Sequence, residues 1–283
     1  MNVADVMTPR SEVITAEIPG TREDVLDYLQ DRGFSSVPVI RSDDDGETFR
    51  GLVTRGSLIE QPDEDQLALL VQDVPTIGRA ASLTELAELV LESGERRVPV
   101  VEDGELVGIV TVTDIVRAIA EGERDGDTVV EGLATRSVNT VYQETPLPVA
   151  ERELSYANVP YAVVLDDDGR QTGMLTEVDI IDVARVVQGQ SDPGDAVANQ
   201  DDEWMWEGIK AVGSRSIPTL NVEIPSTAVS EFMSNDLVTV SRTRTAREAA
   251  QLMISNDIEQ IPLLSGDELV GIVLDIDLLE ALE

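Results

Sequence analysis

Gly108-Ile109-Val110-Thr111-Val112-Thr113-Asp114 carries a short apolar strand directly into the start of a helix, and that junction decides how the rest of the chain reads. A strand end feeding a helix N-terminus is a natural place to hold a polar ligand. Here it offers a hydroxyl, Thr111, and a carboxylate, Asp114. A carboxylate accepts two hydrogen bonds at once, so it can grip a vicinal diol such as the 2′ and 3′ hydroxyls of a ribose. The same phrase returns as Gly51-Leu52-Val53-Thr54, Gly173-Met174-Leu175-Thr176 and Gly271-Ile272-Val273-Leu274. The chain is therefore built of internal repeats.

Ahead of each glycine-led strand stands a second apolar run: Val37-Pro38-Val39-Ile40, Val98-Pro99-Val100-Val101, Val159-Pro160-Tyr161-Ala162 and Ile261-Pro262-Leu263-Leu264. Proline near the start of a strand is tolerated because the missing N–H costs least there. Acidic turns join the two runs, among them Glu102-Asp103-Gly104 and Asp166-Asp167-Asp168-Gly169, which is hairpin chemistry. Consecutive Asp residues alternate in direction along an extended turn, and the remainder of a calcium-binding loop is missing. Before each hairpin comes an amphipathic helix. Ser82-Leu83-Thr84-Glu85 and Thr245-Ala246-Arg247-Glu248 are capping boxes and Thr21 with Asp24 a looser one, while Gly33 and Gly94 supply stops. Leu83, Leu86, Ala87, Val90 and Leu91 form one apolar stripe, as do Ala249, Leu252 and Met253.

Each repeat is thus expected to be a short strand, a helix, a two-stranded hairpin and a closing helix; in the second these fall at 74–77, 82–93, 97–110 and 114–120. The repeats are expected at about 1–60, 68–121, 130–185 and 227–283. Roughly 60 residues cannot bury both faces of a sheet, so repeats should pair. The expected pairs occupy 1–123 and 128–283, the second interrupted by an insert at 186–226.

Composition narrows the chemistry. Only 3% of residues are aromatic, so Val, Leu, Ile and Ala must build the core. Cysteine and histidine are both absent, which removes disulfides, thiolate zinc sites, Cys nucleophiles and His-based acids, bases and metal ligands. A formal net charge of -36, with Lys210 the single lysine among 20 basic residues, resembles the proteins of extreme halophiles. That charge repels nucleic acid and anionic membranes, yet salt at about 1 M shortens the Debye length to about 3 Å, so local arginines can still hold a small phosphate. No apolar run approaches the roughly 20 residues that span a membrane, and the N-terminus lacks the parts of a signal peptide. The expected location is the cytoplasm.

The order of elements, the Val-Pro-Val strand and the Gly-x-x-Thr-x-x-Asp turn resemble CBS domains, consecutive pairs of which form Bateman modules. Four copies are similar to stand-alone archaeal CBS proteins and to the gamma subunit of AMP-activated protein kinase. The resemblance implies an α/β (α+β) fold of four CBS repeats in two Bateman modules, each repeat a small sheet with flanking helices. It also implies a regulatory sensor binding AMP, ADP, ATP or S-adenosylmethionine in clefts between paired repeats and acting on an effector protein. No catalytic role and no obligatory cofactor follow from it; a ligand-independent dimerisation or interaction scaffold is the alternative, and a homodimer is left open. Carried over residue by residue, the nucleotide-binding positions are Thr111 and Asp114, Thr176 and Asp179, and Asp277, where Leu274 replaces the Thr. In the first repeat Ser57 replaces the Asp. Kinase gamma subunits place basic residues before the Val-Pro-Val strand to hold phosphate, which implies that role for Arg97 and Arg96; the other repeats have Ser36, Asn158 and Gln260 there. Trp204-Met205-Trp206 and Lys210 in the insert are expected to pack on a module surface or to dock the effector.

Overall fold

The hairpin of the second repeat pairs Arg97–Glu102 with Glu105–Thr111, antiparallel, and sets Arg97 directly across from Thr111. Its turn places Asp103 and Gly104 both at positive φ, the backbone twist that matches two right-twisted strands. In the computed structural model, which describes residues 1–31, 36–43, 46–54, 57–58, 61, 64–122, 126–157, 159–183, 185–189 and 219–282, the same hairpin occurs four times. The others are Ser36–Asp43 with Gly46–Thr54, Tyr161–Leu165 with Gln171–Thr176, and Gln260–Ser265 with Glu268–Leu274. Among the described residues each of these hairpins belongs to a three-stranded sheet, giving a mixed α/β fold of small sheets with helices. Gly33, Asn158, Trp204-Met205-Trp206 and Lys210 lie outside the described residues.

Local chemistry sets the helices. Ser82 caps Leu83–Ser93 by accepting from the Glu85 N–H while the Glu85 carboxylate accepts from the Ser82 N–H, and Gly94 ends the helix at φ 74°. Thr245 and Glu248 cap Ala246–Asn256 in the same way. The expected 74–77 strand of the second repeat is reduced to one parallel bridge, Ile77 with Val100; Pro75 has no N–H to extend it.

One expected anchor is displaced. In the third repeat the strand begins at Tyr161, which lies across from Thr176 as Arg97 lies across from Thr111. Pro160 instead precedes the strand, its carbonyl accepting from the Glu177 N–H, as the Arg96 carbonyl accepts from Val112. The counterpart of Val98-Pro99-Val100 is thus Ala162-Val163-Val164, and Tyr161 rather than Asn158 occupies the position of Arg97. The Val-Pro dipeptide three residues earlier matched by composition alone; the register follows the glycine and the turn.

The repeats are joined by exchange of lead-in segments. Thr8–Pro9, from the start of the first repeat, adds as an edge strand to the second repeat's hairpin, Thr8 opposite Ile109. Gln72, leading into the second repeat, bridges Leu52 of the first. The third and fourth repeats do the same, Thr135 bridging Ile272 and Ser234 bridging Met174. This close approach explains the glycines. A methyl on Gly108 would lie 2.6 Å from the Thr8 carbonyl oxygen, and one on Gly173 2.7 Å from that of Ser234. Gly108→Ala is expected to destabilise the fold by about 2 kcal/mol by pushing the exchanged strand away; a melting curve that matches the wild type would rule out the tight contact.

By contacts the chain divides into Met1–Ala134 with Val240–Ile261 and Val273–Glu283, and Thr135–Thr239 with Pro262–Ile272. Within the first unit, helix Val112–Ala120 packs on Ala246–Asn256, where buried Ala246, Ala249 and Ala250 permit close approach and Gln251 donates to the Ala120 carbonyl. Helix Leu83–Ser93 packs beside the 3-10 helix Ile276–Leu282. In the second unit Val141, Leu147, Ala150, Leu154, Val164 and Leu175 form the core between helix Leu147–Ala157 and its sheet. The insert's described ends, Arg185–Gly189 and Thr219–Glu223, form an antiparallel ladder.

Candidate ligand-binding caps

Thr111 is the last residue of its strand and the N-cap of helix Val112–Ala120. Its hydroxyl accepts from the Asp114 N–H at 3.3 Å, while Asp114 Oδ2 accepts from the Thr111 N–H at 2.9 Å and from the Thr111 hydroxyl at 2.8 Å. The pair is thus a capping box that fixes the carboxylate at the strand–helix junction. Asp114 Oδ1 accepts from Arg117 at 3.1 Å, one helical turn on. Arg97 stands across the hairpin from Thr111, half-buried.

The third repeat reproduces the box. Asp179 Oδ2 accepts from the Thr176 N–H at 2.8 Å and from its hydroxyl at 2.7 Å, and the hydroxyl accepts from the Asp179 N–H at 3.3 Å. Its remaining surroundings differ. Helix Glu177–Val183 carries three acids, Glu177, Asp179 and Asp182, and no base; Asp182 stands where the second repeat has Arg117.

The other two caps are altered. In the first repeat Ser57 is wholly buried, its hydroxyl donating to the Thr54 carbonyl and accepting from the Thr54 N–H, so it is satisfied by its own turn. In the fourth, Asp277 Oδ2 accepts from the Leu274 N–H at 2.8 Å. Leu274 has no hydroxyl with which to close the box, and the segment that follows is 3-10 rather than α. Burial, together with the charges of Glu280 and Asp275, outweighs that N–H bond and raises the Asp277 carboxyl to about 6. Its proton therefore favours the folded chain: that contribution is full below the ordinary value of 3.8 and is lost as pH rises through about 6. In melts between about pH 4 and about pH 7, wild type should lose stability relative to Asp277→Asn as pH rises. Parallel curves would contradict the burial of the charge.

Arg96 reaches away from its own cap. It forms a two-pronged pair with Asp275, 3.2 and 2.5 Å, and a second contact with Glu259 at 3.3 Å. Burial works against its charge, but the hydrogen bond and charge of Asp275, then Glu259, outweigh it and raise its pKa. Two carboxylates thus hold Arg96, whereas Arg97 stands opposite Thr111 in the hairpin. Sequence reasoning passed over Arg117, Asp275 and the lead-in segments. A legible signal for the last was Val6-Met7-Thr8 recurring as Phe232-Met233-Ser234, whose methionine sulfurs sit at Gly108 and Gly173.

Four hairpin-and-helix repeats that exchange lead-in strands and end in Thr-x-x-Asp caps or variants define a tandem CBS architecture. The chain belongs to the CBS domain family, whose pattern matches residues 3–64, 68–121, 130–185 and 229–283. It is similar to protein MJ1404 of Methanocaldococcus jannaschii, 25% identical over 98% of this chain and 61% of that one; the chain spans about three fifths of that relative's length. The crystal structure of a conserved protein from Pyrococcus horikoshii is 27% identical and covers 100% of both chains with a TM-score of 0.71. Protein MJ1225 of M. jannaschii, described as a candidate archaeal homolog of γ-AMPK, shares the fold at 18% identity and a TM-score of 0.65 over 99% of both chains. Among the described residues no helix is long and apolar enough to cross a membrane.

Proposed function

We propose that the chain is a regulatory sensor whose second and third repeats bind the ribose of an adenosyl ligand at Asp114 and Asp179 and pass that occupancy to an effector protein. The observation that carries this reading is the pair of complete Thr-x-x-Asp boxes, each committing Oδ2 to the threonine and leaving Oδ1 outside the box. A diol donates two hydrogen bonds, and Oδ1 has two acceptor positions to take them on a carboxylate already oriented. Arg97 then stands beside the Thr111 cap for phosphate, with Asp277 a weaker third position and Arg96 in reserve behind its carboxylates. In this reading the Bateman pairs occupy 1–123 and 128–283, without catalytic role or obligatory cofactor, in a cytoplasm of high salt. A scaffold without ligand is favoured by the two altered caps, the first closed on itself by Ser57 and the fourth lacking a hydroxyl at Leu274.

The test is a thermal-shift panel of AMP, ADP, ATP and S-adenosylmethionine in about 1 M potassium chloride, where surface repulsion is screened. A ligand binding the folded state raises the midpoint by mass action, by about 2.7 kcal/mol of stability at a hundredfold excess over Kd. A midpoint indifferent to all four favours the scaffold.

A further inference from the structure

We propose that Arg117 makes the second repeat's cap selective for adenosyl ligands that carry phosphate. The inference rests on the reading that Asp114 holds a ribose. In the structure Asp114 Oδ1, the oxygen that a diol would need, is occupied by Arg117 at 3.1 Å, and the arginine side chain is 49% exposed against 13% for the aspartate. Arg117 fills one of the two acceptor positions on Oδ1, so a diol that donates both hydroxyls there must displace the guanidinium. A nucleotide offers that displaced cation a new anion on the same sugar; a nucleoside offers nothing, so its binding bears the full loss of the pair. The gate is peculiar to this repeat: the third has Asp182 at the equivalent position and the fourth has Glu280. Arg117 lies one turn along the helix from Asp114, on the same face, and Arg97 is placed opposite Thr111 in the hairpin. Two basic residues therefore flank this cap, whereas the helix of the third repeat carries acids alone. Because Arg117 is half-exposed, water takes back part of its charge when it lets go, which limits the penalty on a nucleoside to about fivefold.

The two effects of removing Arg117 have opposite signs, and that makes the test sharp. In the whole chain carrying Asp179→Asn and Asp277→Asn, so that the second cap alone is read, Arg117→Ala should weaken AMP about tenfold and strengthen adenosine about fivefold by titration calorimetry. Arg117→Lys should restore most of the preference for AMP. Equal changes for both ligands, or none, overturn the role of Arg117 while leaving ribose binding intact. Failure of the unaltered chain to bind either AMP or adenosine overturns the ribose reading and this inference with it.

Discussion

Asp114→Asn and Asp179→Asn together should remove nearly all adenosyl binding while leaving the chain folded. Each substitution replaces a carboxylate by a neutral amide of the same shape, so the threonine boxes keep an acceptor while the ligand loses charge-assisted bonds worth roughly 1.5 to 3 kcal/mol apiece. That corresponds to a Kd raised about ten- to a hundredfold at each cap. Alanine would be a poorer probe, because it also deletes the cap that starts the helix, at about 1 kcal/mol. Titration calorimetry on the two single variants and the double decides; an unchanged affinity in the double variant would sink the assignment of both sites.

The second large effect is on stability. Asp275 has only 6% of its side chain exposed, and Arg96 is its ionic partner, donating two bonds to it. Arg96→Ala leaves that carboxylate buried with the N–H of Ile276 as its remaining donor, and breaking a pair in this way costs about 3 kcal/mol. Asp275→Asn should cost less, because Arg96, 40% exposed, can turn to water and keep Glu259. In the combined variant the amide at position 275 carries no charge to strand, so the double should be more stable than Arg96→Ala alone. Denaturant unfolding of all three variants checks this order; a double variant no better than Arg96→Ala would mean that the pair does not supply the stability.

What could be read in the sequence follows from range. The boxes at Ser82 and Thr245, the stop at Gly94 and the hairpin turns are decided within four or five residues, and the structure places them as the residues imply. The Thr-x-x-Asp caps are of the same kind, so the boxes of Thr111 with Asp114 and of Thr176 with Asp179 are legible as helix caps within four residues. Arg97 lies across from Thr111 as the second repeat's spacing implies, but the third-repeat counterpart is Tyr161, three residues beyond Asn158, since Val159-Pro160 imitates a strand opening and the dipeptide itself carries no register. Arg96 is separated from Asp275 by 179 positions, and no periodicity reports such a contact. The same is true of Thr8–Pro9: two residues have no hydrophobic pattern, and their partner is fixed by the glycine that makes room for them. Trp204-Met205-Trp206 remains outside the described residues.

That borrowed strand has a consequence during synthesis. Thr8 pairs with Ile109, so this strand has nowhere to dock until roughly one hundred further residues have been made. At about 5 to 20 residues per second that is a wait on the order of 5 to 20 seconds. Meanwhile the opening hairpin can form but lacks Gln72 at its side until the second repeat begins. A ribosome stalled between the first and second repeats would therefore display an unfinished sheet edge, open to capture by another nascent copy, and release of the complete pair is the step that closes it.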